Sequence, residues 1–325
     1  MLLSAALLTL ATVGLLVVAT FVLGLLATLA TGLRVFFFEP AMCKKSIDLK
    51  EKFGTWAVVT GSTDGIGRAY AQELAKRGLN LVLVSRNLEK LTAVAAQLGT
   101  KYNVLVRIIV ADFSKGESIY ESIEQQLADI SIGILVNNVG SQYSYPMYVG
   151  EVPADQIWSI INVNIGATVM MTRIVLRGMK LRGKGAIVNV SSGSECQPLP
   201  FMTIYAASKV FVKSFSAALR NEYQNSGITV QHLSPLFINT KMNAFSHRLQ
   251  EDSVVVPSAY TYAKSAVSTL GKVESTTGYW AHGIQYWFTE LPPVWMRTII
   301  GGMINKGFRT DYFKGIQNNN NLQKH

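Results

Sequence analysis

Two stretches of this chain hold residue types whose spacing can do chemistry. In TIYAASK, residues 203–209, Tyr205 and Lys209 stand four apart. On a helix that spacing places both side chains on one face, one turn from each other. A phenol beside an ammonium forms an acid–base pair. Free tyrosine titrates near about 10, too high for exchange in both directions at neutrality, and a neighbouring cation stabilises the phenolate. Tyr260 and Lys264 repeat the spacing, so spacing alone does not separate a working pair from an accident. The second stretch is TGSTDGIG, residues 60–67, with glycines at 61, 65 and 67. Glycine there lets the backbone turn tightly and approach a pyrophosphate, while a helix N-terminus supplies N–H donors and a favourable dipole. Many glycine-rich turns are only tight turns. This one follows an apolar β-branched run and opens a helical pattern, the context of a dinucleotide site.

Both stretches need elements to hold them. Strand-like runs fall at 55–60, 79–84, 104–110, 132–138, 185–192 and 228–234, and helical patterns lie between them at 68–77, 88–98, 119–127, 154–181 and 204–224. The strands read as apolar on both faces, as in a parallel sheet covered by helices on each side. Alternating β and α units predict an α/β, doubly wound, Rossmann-type fold. The NNNN run at 318–321 reads as part of a polar, disordered tail.

In such a fold the end of the second strand distinguishes the two nicotinamide coenzymes. An acid there meets a free ribose hydroxyl, and a basic residue meets a phosphate. This chain has Ser85 and Arg86 and no acid, which favours NADPH/NADP; the plain alternative is an arginine on a solvated loop. Asp112, after the third strand, is placed to meet the adenine or to cap a helix.

Taken together, these residues resemble the short-chain dehydrogenase/reductase family. The matching motifs are TGSTDGIG, NNVG at 137–140, Asn164 in NVNIG, Ser192 in NVSSGS, then Tyr205 and Lys209, with Pro235 and Thr240 in SPLFINT. The resemblance covers roughly residues 53–285. Within the family, GILVNNVG, SSGS and the apolar N-terminus look like the branch of 17β-hydroxysteroid dehydrogenases types 3 and 12 and the very-long-chain 3-oxoacyl-CoA reductases. The resemblance implies a parallel sheet of about seven strands. It implies a catalytic tetrad of Asn164, Ser192, Tyr205 and Lys209, in which Asn164 holds a water and Lys209 also holds the nicotinamide ribose. It also implies a coenzyme site of Gly61, Ser62, Thr63, Asp64, Gly65, Ile66, Gly67, Ser85, Arg86, Asp112, Asn138, Gly140, Tyr205, Lys209, Pro235 and Thr240, and no metal. Tyr205 follows Ser192 by 13 residues, the family's spacing. The residue 13 before Tyr260 is His247, in no comparable setting, so Tyr260 and Lys264 are the accidental copy. Taken singly, Ser192 reads as a strand-end cap, Asn164 as the pin of a helix distortion and Tyr205 as a core aromatic; order and spacing give them a joint meaning.

Residues 1–33 contain no charged side chain. That run exceeds the roughly 20 helical residues that cross a bilayer core, and it lacks the basic n-region of a cleaved signal. Arg34, Lys44, Lys45, Lys50 and Lys52 follow it; positive charge beside a span stays cytoplasmic. The organisation expected is a membrane anchor over 1–33, a basic linker over 34–52, the catalytic domain over 53–285 and a membrane-proximal segment with a polar tail over 286–325. The two cysteines, Cys43 and Cys196, lie too far apart in the sequence for a disulfide framework. The net charge of +10 comes with no nucleic-acid motif, and an anionic membrane face accounts for it.

The expected function is reduction of an apolar ketone: a 3-oxoacyl-CoA in fatty-acid elongation, or a 17-ketosteroid. A catalytically silent membrane scaffold, of the kind found where relatives have lost the tyrosine, is the alternative of another class. The expected location is the endoplasmic reticulum membrane with the catalytic domain facing the cytosol, and a homodimer is allowed. The segment 278–304, rich in Trp and Tyr and broken by Pro292 and Pro293, divides evenly between core packing and contact with the membrane interface.

Overall fold

The computed structural model describes residues 2–33, 47–243 and 249–322. The chain forms two compact units, Met1–Ser46 and Ile47–His325. The described part of the first is one helix, α1 (Leu2–Leu33). Its Thr9, Thr12 and Thr20 hydroxyls donate to carbonyls four residues earlier, at 2.9, 2.8 and 3.0 Å, so the few polar side chains satisfy themselves within the helix. The stretch Ser4–Ala27 has the length and composition of a bilayer span and none of it is buried. The basic residues Arg34, Lys44 and Lys45, together with Cys43, lie outside the described residues.

The second unit opens with α2 (Leu49–Phe53), capped by Asp48, and is built on seven parallel strands in the order β3-β2-β1-β4-β5-β6-β7. These are β1 (Trp56–Thr60), β2 (Asn80–Ser85), β3 (Val106–Val110), β4 (Ile132–Asn137), β5 (Gly185–Val190), β6 (Ile228–Leu233) and β7 (Ser275–Thr276). β1, β4, β5 and β6 are almost wholly buried, because helices cover both faces of a parallel sheet. β3 departs from the expectation of two apolar faces: it is the sheet edge, and Val110 is half exposed.

The covering helices are α3 (Gly65–Lys76), α4 (Leu88–Tyr102), α5 (Tyr120–Leu127), α6 (Ala154–Ile160), α7 (Ala167–Arg182), α8 (Thr203–Tyr223), α9 (Ala259–Thr269), α10 (Trp280–Glu290) and α11 (Val294–Leu322). The helical pattern expected over 154–181 is three segments. α6 and α7 are joined by a π-helical turn, Ile161–Gly166, with Asn164 inside it. The expectation of a disordered tail at 318–321 is corrected, since α11 continues to Leu322. Pro292 and Pro293 separate α10 from α11 as expected, proline lacking the donor that would continue a helix.

Strand order reverses between β1 and β4. The chain winds outward from β1 to β3, then returns to lay β4 on the other side of β1. That topological switch point leaves a crevice at the carboxyl ends of the strands, where open α/β sheets bind ligands.

Candidate active site

At the carboxyl end of β1 the chain turns through Gly61, whose φ of +65° lies in the left-handed region that favours glycine. A methyl group on Gly67 would stand 2.3 Å from both the Asn138 Nδ2 and the Gly61 carbonyl oxygen, so the first turn of α3 packs on the loop only without a side chain. Asn138, expected at the coenzyme, is used for architecture. Its Nδ2 donates to the carbonyls of Thr60 at 2.9 Å and Gly61 at 3.3 Å. Thr60 Oγ1 accepts from the Asn138 and Val139 amides, at 3.0 and 3.1 Å, tying β1 to β4. Ser62 is buried and donates to the Val84 carbonyl, and Ile66 packs against the main core. These residues shape the loop from behind.

The open rim of the loop is Thr63, Asp64, Ser85 and Arg86. Thr63 Oγ1 and Ser85 Oγ are 3.0 Å apart, and Arg86 is exposed just beyond β2. Asp64 caps α3 by accepting from the Gly65 amide at 2.9 Å and pairs with Lys241 at 2.7 Å. Burial pushes the Asp64 carboxyl up, but Lys241 and the Gly65 amide outweigh it and hold the group below the usual range. Asp112 caps the 3₁₀ turn Phe113–Ile119, accepting from the Ser114 amide and hydroxyl at 3.1 and 2.8 Å. Partial burial works against its charge, yet those bonds and the Arg86 and Lys115 charges keep its carboxyl low. It therefore fills the capping role and remains an acceptor beside the crevice.

The other end of the crevice gathers the tetrad. Asn164 is buried at 1% exposure. Its Nδ2 donates to the Ser141 carbonyl and to Ser208 Oγ, both at 2.9 Å, and its Oδ1 accepts from the Ser141 amide at 2.8 Å. The π turn is what aims this carboxamide out of the helix; such turns recur at functional sites. Lys209, 5% exposed, donates to the Val190 carbonyl at 3.2 Å and lies 5.6 Å from the Tyr205 ring centroid. Ser192 caps the turn after β5, its Oγ accepting from the Ser194 amide at 3.2 Å and donating to Ser194 Oγ at 3.1 Å, and its hydroxyl is close enough to the Tyr205 phenol to favour the phenolate. A methyl on Gly140 would stand in ordinary contact, 3.7 Å from Asn164 Oδ1 and from the Met242 methyl and 3.8 Å from Lys209 Nζ, so this glycine lies directly beside the amide and the ammonium. Pro235 accepts from the Gly193 amide at 2.8 Å, and the Thr240 methyl lies against Gly65. The segment after β6 thus touches both ends of the crevice. Tyr260 is exposed on α9, away from this cluster.

The expected lowering of the Tyr205 phenol by the ammonium meets an opposing effect, burial. Burial pushes the phenol up, the Ser192 hydrogen bond only partly offsets this, and burial also pushes Lys209 down to about 8. Desolvation opposes both charges, and a cation that is itself destabilised stabilises a phenolate less.

A second polar cluster backs the tetrad and escaped the sequence reading. Glu195, on the turn after β5, is buried and accepts from His232 Nε2 at 2.9 Å, Tyr286 Oη at 3.3 Å and Ser191 Oγ. Ser191 Oγ also reaches the Lys209 carbonyl, at 3.0 Å. The signal was present: Glu195 is the only charged residue between Lys184 and Lys209. Next to it, burial pushes the Cys196 thiol up to about 11, as suits an inert cysteine. The wall of the crevice beside Tyr205 is apolar, with Tyr143, Met147, Val152, Ile160 and Met202 buried together.

These observations fit a bound nicotinamide dinucleotide. The glycine cradle leaves room for a pyrophosphate, a basic residue stands beyond β2, and a glycine adjoins an amide and an ammonium at the far end.

Comparison with known proteins agrees. The short chain dehydrogenase family pattern matches residues 55–251. "Inactive hydroxysteroid dehydrogenase-like protein 1" of Homo sapiens is 50% identical over 264 residues, 81% of this chain and 80% of that one. "Hydroxysteroid dehydrogenase-like protein 1" of Gallus gallus is 52% identical over 250 residues, 77% and 76% of the two chains. "Very-long-chain 3-oxoacyl-CoA reductase" of Macaca fascicularis is 44% identical over 268 residues, 82% and 84%. Among solved structures, a short-chain dehydrogenase from Sphingobium yanoikuyae in complex with NADPH is 31% identical with a TM-score of 0.61, covering 68% of this chain and 86% of that one. A 7β-hydroxysteroid dehydrogenase shares the fold at a TM-score of 0.71 and 21% identity, covering 78% and 98%. NADPH/NADP is the coenzyme. With its glycine cradle, tetrad and 3-2-1-4-5-6-7 sheet in place, the chain belongs to the short chain dehydrogenase family.

Proposed function

We propose that this protein is a membrane-anchored, NADPH-dependent carbonyl reductase whose substrate is a 3-oxoacyl-CoA of fatty-acid elongation. The observation that carries the reading is the convergence of Asn164, Ser192, Tyr205 and Lys209 beside Gly140, at the mouth of an apolar wall. Bound NADPH supplies the hydride. Ser192 donates a hydrogen bond to the substrate's carbonyl oxygen and sets its position. Tyr205 gives that oxygen its proton, and the Lys209 ammonium stabilises the phenolate left behind. Asn164, held by Ser141 and Ser208, fixes the polar floor next to Lys209. The expected water at Asn164 belongs to this reading, as do residence in the endoplasmic reticulum and a cytosolic catalytic domain. The acyl-CoA class is supported by the relative named for that reaction, and the apolar N-terminal helix α1 supports the anchor.

Two other readings keep a supporting observation. An apolar wall suits a steroid skeleton as well as an acyl chain, which supports 17-ketosteroid reduction. The name of the 50% identical human relative includes "inactive", which supports a nucleotide-binding scaffold without turnover. One experiment separates the three. NADPH binding is followed by fluorescence, and oxidation is then measured with a long-chain 3-oxoacyl-CoA and with a 17-ketosteroid. Turnover on the thioester alone is expected. Turnover on the steroid alone supports the second reading, and binding without turnover on either supports the third.

A further inference from the structure

Over residues 295–309, α11 turns small and polar side chains toward the protein and apolar ones outward, the reverse of a helix in a water-soluble fold. The row facing the protein is polar and small: Arg297, Gly301, Asn305 and Arg309, each four residues after the last. Arg297 donates to the Cys196 carbonyl at 3.1 Å and Asn305 to the Pro200 carbonyl at 2.9 Å. A methyl on Gly301 would meet Leu199 at 2.6 Å, so the backbone itself sits on the 196–202 segment. Arg309 donates to the Pro146 carbonyl at 3.0 Å and pairs with Glu151 at 2.8 Å. The opposite row, Trp295, Ile299 and Met303, is 63, 54 and 61% exposed. From 291 to 305 the only charged residue is Arg297, which points inward. On α10, Ile284 and Phe288 are 50 and 60% exposed, and both helices meet at Cys196, through Tyr286 and Arg297. A globular fold left in water rarely exposes an apolar row of this length.

We propose that the outer face of α11, continued by α10, lies in the headgroup–acyl boundary of a lipid bilayer as a second membrane contact, separate from α1. Three observations favour lipid over a protein partner. First, 13 residues, 34–46, join α1 to the globular unit; even fully extended they span at most about 47 Å, so anchoring by α1 would keep lipid within that reach of this face. Second, the face carries tryptophan and long aliphatic side chains with no charge, and lysines follow at 306 and 314, the order of side chains met on passing from acyl chains to anionic headgroups. Third, the net charge of +10 complements an anionic leaflet. The consequence is positional. The inner row of α11 holds segments 146–151 and 196–202, which flank the apolar wall and Tyr205, so the lipid surface adjoins the mouth of the site and an apolar substrate reaches it without crossing water.

The inference rests on the anchor reading of α1, and tryptophan fluorescence tests it apart from that reading because α1 contains no tryptophan. The full chain is reconstituted into vesicles of phosphatidylcholine and phosphatidylserine containing phosphatidylcholine brominated on its acyl chains. Flotation reports the anchor, and quenching reports the face. The expected result is flotation with quenching by bromolipid that falls in Trp295→Phe, the remainder coming from Trp280 and Trp287 of α10, and is retained in Trp158→Phe. A second variant, Ile299→Glu with Met303→Glu, should float, retain NADPH binding and lose the share of quenching that Trp295 carries. Flotation with no bromolipid quenching and with Trp295 open to aqueous iodide overturns the proposal. So does a Trp295 shielded from both quenchers, which means that protein, from α1 or a second copy, covers the face. Failure to float overturns the anchor and this proposal together.

Discussion

The Glu195 carboxylate and the His232 Nε2 lie 2.9 Å apart in the buried layer behind β5, and the same carboxylate exerts the field that opposes burial at Lys209. A carboxylate only accepts, so the imidazole donates to it, while its Nδ1 lies 3.0 Å from Ser275 Oγ. This links the turn carrying Ser192 to β6 and β7, on the side of the site that holds Lys209.

Burial pushes Lys209 down to about 8 and the Glu195 charge alone raises it. The reductase rate should therefore decline above about pH 8, as Lys209 loses its proton. Glu195→Gln removes the charge while retaining a hydrogen-bonding amide, and should move that decline to lower pH with little change in NADPH affinity. Rate profiles against pH for the two proteins test this; coincident alkaline limbs would falsify a role for Glu195 through Lys209.

Tyr205→Phe removes the proton donor and keeps the ring in its apolar wall. Turnover should fall by roughly 10²- to 10⁴-fold while NADPH affinity stays within a few-fold. Retained turnover would mean that another group delivers the proton.

Arg86→Ala should weaken NADPH by roughly 10- to 100-fold, the range expected for losing a charge-assisted hydrogen bond. NADH affinity should hardly change. Equal losses for both coenzymes, measured by fluorescence titration, would take Arg86 away from the phosphate.

His282 is fully buried. Its Nδ1 accepts from the Leu236 amide at 3.4 Å and its Nε2 donates to the Phe237 carbonyl at 3.1 Å, joining α10 to the segment after β6. Burial pushes it down to about 4, with the backbone bonds opposing. The unfolded chain takes up this proton near about 6.5, so between the two values the unfolded state binds more protons. The His282 contribution is complete above about 6.5 and is lost as pH falls toward 4, a difference worth roughly 3 kcal/mol. Thermal melts across that range should show less acid sensitivity in His282→Asn than in the parent. Parallel curves would assign the acid loss to other groups.

Much of the fold was legible because each strand is a run of β-branched and aliphatic residues bounded by turns. The expected 228–234 strand, for example, is β6 within one residue. The tetrad was legible because its order and spacing are fixed by local elements: Tyr205 and Lys209 share a turn of α8, and Ser192 ends a strand. β7 was not legible as a strand, since only two of its residues pair with β6.

By itself, the sequence determined which residues could meet at the strand ends, that glycine stands where a pyrophosphate would approach, and that residues 1–33 suit a bilayer, because those properties reside in residue type and local period. Only the tertiary structure decided that Asn138 and Ser62 support the loop from behind, that Glu195 underlies Lys209, and that α11 turns its apolar row outward. It also decided the direction in which burial moves the pair at the centre. Whether Lys209 or burial governs the Tyr205 phenol depends on how completely both are removed from water, and desolvation is a property of the surrounding packing that no spacing of two residues encodes.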